Sequence, residues 1–428
     1  MKFLFADSMD YVDPRYNFDT DQFGEDRQPY WDDLFPHEIM SQPPYDGVLI
    51  SRATVGGVDH PGKYGESLSM RFRRVGARTH LRLTDPPHAD MPIFGDNGAF
   101  SYAHMVDPPY TPEDTVEFYA DGQFTHGCSV DHIIFEFNPS VLGMKGGSPD
   151  SHRRFELTLS LAEEFFAESK SIGRQFTPIG VIQGWSPDSL ALSAKSLVKM
   201  GYKYLAIGGL VPLTSIETHM AISAVESAIN GFPDIKLHLL GFAKADTLHE
   251  FAQYRHIASF DTTSPLIRAF KDATRNYYLP NTDGLLDYYT AIRVPQAITN
   301  NKLKAHAKSG RYKQEYLLDM ENKALNALRS YSTKRLSIEG CLDAVLAYAE
   351  PLETSDKSTE YSVRRKIDLL RIKYHRTLHA RPWEKCQCDI CTKIGIESLI
   401  FRGSNRNKRR GIHNLEVYHK HLQRINNL

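Results

Sequence analysis

Residues 178–210 read PIGVIQGWSPDSLALSAKSLVKMGYKYLAIGGL. A short apolar, β-branched run (178–183) is followed by a stretch with apolar residues three and four apart (186–200). A second such run (204–208) then ends in two glycines. Strand, helix, strand is the βαβ unit, which places the two strands parallel. The same alternation extends outward in both directions. Candidate strands fall at 2–6, 47–52, 92–95, 132–137, 178–183, 204–208, 236–241 and 257–261. Candidate helices fall at 112–123, 154–171, 186–200, 215–230 and 245–254. Eight strands alternating with helices predict an α/β fold, a (β/α)8 TIM barrel. A doubly wound open sheet is the alternative, and the lack of a Gly-rich fingerprint after the first strand disfavours its dinucleotide-binding form.

The chain has 428 residues, 41% hydrophobic and 24% charged, enough for one large barrel with appended elements. No apolar run reaches the roughly 18–20 residues needed to cross a bilayer, so a cytoplasmic protein without membrane contact is expected. The net charge of −1 conceals an asymmetry. Residues 301–428 hold 26 Lys and Arg against 14 Asp and Glu, leaving +12 there and −13 in 1–300. Basic runs include Arg364-Arg365-Lys366 with Arg371 and Lys373, then Arg402, Arg406, Lys408, Arg409 and Arg410. The bland reading is a solvated helical face; the sharper one is a surface for a nucleic acid.

Three of the five cysteines crowd into Cys386-Gln387-Cys388-Asp389-Ile390-Cys391, with His413 22 residues beyond the last. Three thiolates and one imidazole form a closed tetrahedral set, predicting a structural zinc rather than a catalytic one. His419 and His421 compete with His413 for the fourth position. No secretory leader is read, and Cys128 and Cys341 are isolated, so reduced thiols are expected.

Catalytic groups of barrels come from the C-terminal ends of strands. Those ends read Asp96-Asn97-Gly98, Glu136-Phe137-Asn138, Gln183-Gly184, Gly208-Gly209 and Asp261. Singly, each has an ordinary explanation: a turn at Asp96, a tight turn at Gly208-Gly209, a helix cap at Asp261. Together they set carboxylates, an amide and exposed backbone at one mouth. Such a set suits a purine, with carboxylates for N1–H and the amino group and an amide or backbone N–H for the carbonyl oxygen.

The order Gly95-Asp96-Asn97-Gly98-Ala99-Phe100, Ile182-Gln183-Gly184, Ile207-Gly208-Gly209-Leu210, Asp261 with Pro265, Cys-x-Cys-x-x-Cys and His413-Asn414-Leu415 resembles the tRNA-guanine transglycosylase superfamily. The resemblance covers about residues 90–270 and 383–420. It implies base exchange at a glycosidic bond, with Asp261 as nucleophile at C1′ and Asp96 as general acid/base. Asn97, Gln183, Gly208 and Gly209 would contact the base, with Glu136 or Asn138 as the strand-four base reader. No redox cofactor or catalytic metal is implied.

Two departures modify that expectation. The superfamily's Phe-Asp-Glu after strand four is replaced here by Phe135-Glu136-Phe137-Asn138. The Thr-Arg-rich stretch after the nucleophile is replaced by Leu266-Ile267-Arg268-Ala269-Phe270, and the nucleophile lies 125 residues before Cys386. The chain looks most like the DNA-guanine transglycosylases of 7-deazaguanine DNA-modification systems. That likeness implies DNA as polymer substrate, a 7-deazaguanine such as preQ0 as incoming base, and an ATPase partner. A tRNA-acting enzyme and a noncatalytic nucleic-acid-binding barrel are the alternatives. The expected organisation is a catalytic barrel (1–270), a basic helical insertion (271–384, helices near 316–331, 338–352 and 363–378) and a zinc-binding subdomain packed on the barrel (385–428). The stretches 276–287 and 353–360 read as flexible joints.

Overall fold

The computed structural model describes residues 1–56, 62–242, 245–281 and 284–427. Eight parallel strands close into a barrel: β1 (Lys2–Ala6), β2 (Gly47–Ser51), β3 (Ile93–Asp96), β4 (His126–Cys128), β5 (Thr177–Ile182), β6 (Tyr204–Ile207), β7 (Lys236–Leu239) and β8 (Ile257–Thr262). β8 returns to β1 with Leu4 opposite Asp261, so no edge remains. Leu4, Leu49, Phe94, Ile179, Val181 and Ala206 fill the interior.

Local chemistry sets the helix ends. Pro112–Asp121 starts at Thr111, whose Oγ1 accepts the Asp114 N–H while the Asp114 carboxylate accepts the Thr111 N–H, a reciprocal cap with proline in the first turn. Pro187–Met200 starts at Ser186 in the same way and stops at Gly201, whose φ of 112° is open to glycine at little cost. A helix at Glu66–His80 and another at Ser264–Lys271 complete the α/β alternation beyond those read from periodicity. The segment Ala245–Gln253 is 3-10 rather than α-helical.

Seven strands lie within about a residue or two of their expected places, but the fourth does not. β4 is His126–Cys128, and residues 132–137 form no strand. The apolar run was misleading because its side chains serve other layers: Ile133 packs with Ala99 and Tyr102, and Ile134 with Phe155 and Trp185. The true strand is short and nearly featureless because it makes room for Tyr119. A Cβ on Gly127 would sit 2.4 Å from that ring and one on Gly95 2.1 Å from it.

Backbone proximity divides the chain into two compact units. One holds Met1–Met9 and Tyr45–Thr263 with the last residues of the chain; the other holds Asp10–Pro44 and Ser264–His421. The second unit is built on helices Gln314–Ser332, Ile338–Glu353 and Glu360–Ala380. Leu317, Leu328, Leu346 and Leu378 from these helices share one core with Cys386, Ile390, Cys391 and Ile412. The stretch expected as a joint after residue 276 instead forms β9 (Tyr277–Pro280) paired antiparallel with β10 (Leu286–Tyr289); residues 282 and 283 lie outside the described chain. Among the described residues no helix is long and apolar enough to cross a membrane.

Candidate active site

A cavity of about 340 Å³ opens at the C-terminal ends of the barrel strands. Asp96, Asp131, Gln183, Gly208, Gly209 and Asp261 all line it. Five of these are among the residues read at strand ends, and Asp131 is not.

Asp96 ends β3 with a face on the cavity. Its carboxylate accepts the Gly98 N–H at 3.0 Å and also interacts with Ser51. Desolvation, reinforced by the nearby Asp261 charge, pushes its pKa up to about 6 despite those bonds. Its neighbour Asn97 turns away from the cavity. Fully buried, it donates to the carbonyls of Cys128 and Ser129 and accepts from Thr115, tying β3 to β4.

With β4 ending at Cys128, the acid that reaches the cavity is Asp131, not Glu136 or Asn138. Asp131 is 3% exposed and accepts a 2.7 Å bond from Gln183 Nε2. Burial, with Asp96 adding repulsion, raises its pKa to about 7. Glu136 is exposed and caps the helix Pro149–Glu168 by accepting from Ser148 N and Ser151 Oγ. Asn138 is exposed, and its side chain accepts from Ser140 N. Neither lines the cavity. Asp131 could have been found by ending strand four at Cys128, where the first acid beyond the strand stands three residues on.

Gln183 has both ends of its amide engaged, since Oε1 accepts the Ile134 N–H at 3.1 Å. Gly208 permits this: a Cβ there would lie 2.3 Å from Gln183 Nε2. Gly209 has φ 73°, a conformation that side-chain-bearing residues adopt with strain.

Asp261, 7% exposed, ends β8. Its Oδ1 accepts the Gly241 N–H at 2.8 Å and lies 3.2 Å from His238 Nε2. His238 Nδ1 is 2.7 Å from Ser259 Oγ, which is 2.6 Å from the Tyr204 hydroxyl. Burial pushes the Tyr204 phenol up to about 12, so it remains a donor. Proton placement follows: Tyr204 donates to Ser259, Ser259 to Nδ1, and Nε2–H to the carboxylate. His238 escaped the sequence reading. The available signal was a lone polar residue inside an apolar strand.

The arginines expected to meet nucleic acid are spent inside the second unit. Arg406, Arg409 and Arg410 are buried, and the Arg402 side chain is 5% exposed. Arg402 pairs with Asp21 and Glu321; Arg406 pairs with Asp21 and Glu397. Arg409 donates to the Asp13 carbonyl at 2.8 Å, and Arg410 to the Ala269 carbonyl at 2.7 Å. Lys408, half-buried, donates to the Tyr11 carbonyl at 3.1 Å and lies 5.1 Å from its ring. Arg402, Arg406, Lys408 and Arg409 hold residues 11–21 in place. Buried charge is stable here because carboxylates and carbonyls meet it.

In the same unit Cys386, Cys388, Cys391 and His413 are buried, with one ligand atom of each within 4.8 Å of the others. His413 Nδ1 lies 3.3–3.5 Å from the three sulfurs, close to the roughly 3.5 Å edge of a tetrahedron with metal–sulfur and metal–nitrogen bonds of zinc length. His413 Nε2 is 2.8 Å from the Tyr278 carbonyl, which fixes the proton there and leaves Nδ1 free to ligate. Asn414 holds the surrounding chain through Pro265 O, Asn276 O and Tyr278 N. His419 and His421 stand outside the set. The residues fit a divalent metal of borderline softness.

Fold and site define a parallel-barrel enzyme with acids and an amide collected around one base-sized cavity and a Cys3His metal-ligand cluster. No family model matches the chain. It is 38% identical over 425 residues, 99% of this chain and 97% of the other, to the DNA-guanine transglycosylase of Salmonella montevideo. The chain belongs to the DNA-guanine transglycosylase family and is a guanine transglycosylase.

Proposed function

We propose that this enzyme exchanges guanine in DNA for a 7-deazaguanine through a covalent bond between Asp261 and deoxyribose C1′. The observation that carries the reading is the meeting of Asp261, Asp96 and the Asp131–Gln183 pair in one cavity. In the first displacement an Asp261 oxygen bonds to C1′ while the C1′–N9 bond breaks, its electron pair leaving with the purine. Neutral Asp96, with a pKa of about 6, supplies the proton that the departing base takes up. The incoming base then loses its N9 proton to the Asp96 carboxylate. Its nitrogen attacks C1′, and the ester oxygen leaves as the Asp261 carboxylate. Two displacements retain configuration, as in retaining glycosidases.

Asp131 is the base reader in this scheme, facing N1–H and the 2-amino group, with Gln183 and the Gly208-Gly209 backbone toward the carbonyl oxygen. PreQ0, with its uncharged cyano group, is the incoming base to test first. A base in a duplex must be extruded before C1′ can be attacked. The Cys386, Cys388, Cys391 and His413 set would hold a zinc that stabilises the second unit and takes no part in the exchange. The likeness of sequence alone supports an ATPase partner.

The test is incubation of the full chain with guanine-containing DNA or with tRNA, then denaturing electrophoresis for a covalent adduct. An adduct with DNA that Asp261→Ala abolishes is expected. An adduct with tRNA alone would overturn the DNA assignment.

A further inference from the structure

With the arginines at 402–410 engaged internally, the positive surface of the second unit must be sought elsewhere. The helix Glu360–Ala380 supplies it selectively. Lys366 pairs with Glu353, and Arg371 with Glu339 and Asp343. Lys373 and Arg376, one turn further, make no ion pair among the described residues. They face a cleft of about 380 Å³ whose other wall is β10 and the chain before β9.

The cleft is built rather than incidental. Thr377 Oγ1 donates to the Thr290 carbonyl at 2.9 Å and accepts the Thr290 N–H at 3.2 Å, locking helix to strand end. Thr290 Oγ1 donates to the Thr274 carbonyl at 2.8 Å, closing the floor. Over it stand Arg275 and Arg376, both exposed, and half-buried Lys373. Aromatic rings hold the guanidiniums in place: Arg275 lies 5.6 Å and Arg268 5.8 Å from the Tyr288 ring centre, and Arg376 lies 5.3 Å from that of Tyr289. Among the described residues Asp287 is the acid lining the cleft, against three lining cations.

We propose that this cleft binds the sugar–phosphate backbone of the DNA substrate, with Arg275, Lys373 and Arg376 meeting phosphate oxygens. The proposal rests on the reading of DNA as substrate. Among the described residues three cations and one acid line this polar recess, which matches a polyanion. Guanidiniums pre-set against tyrosine rings lose less freedom on forming bidentate contacts. Such contacts position the strand without reading its sequence.

The test is a salt titration of DNA binding by the full chain, using fluorescent guanine-containing oligonucleotides. Lys373→Ala/Arg376→Ala is compared with Lys304→Ala/Lys308→Ala, two exposed lysines on the helix Asn301–Lys308. Each lost phosphate contact lowers the slope of log K against log salt by about 0.9, so the cleft variant should lose about 2 and bind some ten- to hundredfold more weakly near 0.1 M salt. The loss should be equal across oligonucleotide sequences, and the control variant should keep the parental slope. An unchanged slope, or an equal loss in the control, overturns the cleft. A slope lost on tRNA but kept on DNA overturns its assignment to DNA. Failure of the underlying reading looks different, because the parental chain itself then exchanges no guanine in DNA.

Discussion

His238 Nε2 stands 3.2 Å from Asp261 Oδ1, and the Gly241 N–H reaches the same oxygen at 2.8 Å. Both donors converge on one carboxylate oxygen. In the proposed displacement Oδ2 is thereby the oxygen left to attack, and Oδ1 would stay held while charge leaves and returns to the carboxylate. His238 is a positioning residue for Asp261, steadied from behind by Ser259 and Tyr204.

His238→Phe keeps an aromatic ring and removes both ring nitrogens. It should lower kcat roughly 100-fold through misplacement of the nucleophile, with KM for DNA changed less than about threefold. His238→Gln, whose amide can donate to Oδ1, should recover most of the rate. Steady-state kinetics of both variants check this. Equal losses in the two, or a loss confined to KM, would show that the ring serves packing alone.

Asp131 is buried with a pKa of about 7 against an ordinary 3.8. The folded state thus holds a proton that the unfolded state has released between those values. Its contribution is most favourable below about pH 4 and is lost as pH rises toward 7. Asp131→Asn can keep an acceptor for Gln183 and carries no charge. Its Tm relative to the parent should climb from about pH 4 to about pH 7 and level off above that. A difference that stays flat over this range would sink the assignment.

Arg406→Met removes one of the two arginines that Asp21 and Glu397 each pair with, leaving Asp21 to Arg402 and Glu397 to Arg329. Removing one partner of a buried ion pair costs about 3–5 kcal/mol, so the urea midpoint should fall sharply. The salt slope of DNA binding should stay parental, since this arginine faces no solvent. A reduced slope with intact stability would restore Arg406 to the nucleic-acid surface.

Elemental analysis of the purified chain should give one zinc per molecule. Chelation, or Cys388→Ser, should lower the Tm by many degrees because metal binding here is folding energy. With residual folded protein, the Asp261–DNA adduct should still form. Loss of adduct at full retention of fold would instead give the metal a chemical part.

Most of the barrel was legible because strand and helix periodicity is local: residues 178–210 contain their whole βαβ argument. The Cys-x-Cys-x-x-Cys spacing was legible for the same reason. Strand four was not. Its three residues are short and plain to admit Tyr119, and a stronger apolar run stood nearby, so the cavity-lining residue after strand four was sought at Glu136 and Asn138. Asp131 emerges only when the register of β3, β4 and β5 is known.

The amino-acid sequence by itself determined seven of the eight strands, Asp96 and Asp261 at strand ends, and a Cys-x-Cys-x-x-Cys spacing able to hold a metal. Tertiary structure alone decided which charges face outward. Arg406 and Asp21 are 385 residues apart yet pair in the interior, while among the described residues Lys373 and Arg376 go without ion-pair partners beside the paired Arg371. Periodicity follows from the geometry of neighbouring residues. The fate of a charge depends on which distant groups arrive beside it and on whether water is excluded there.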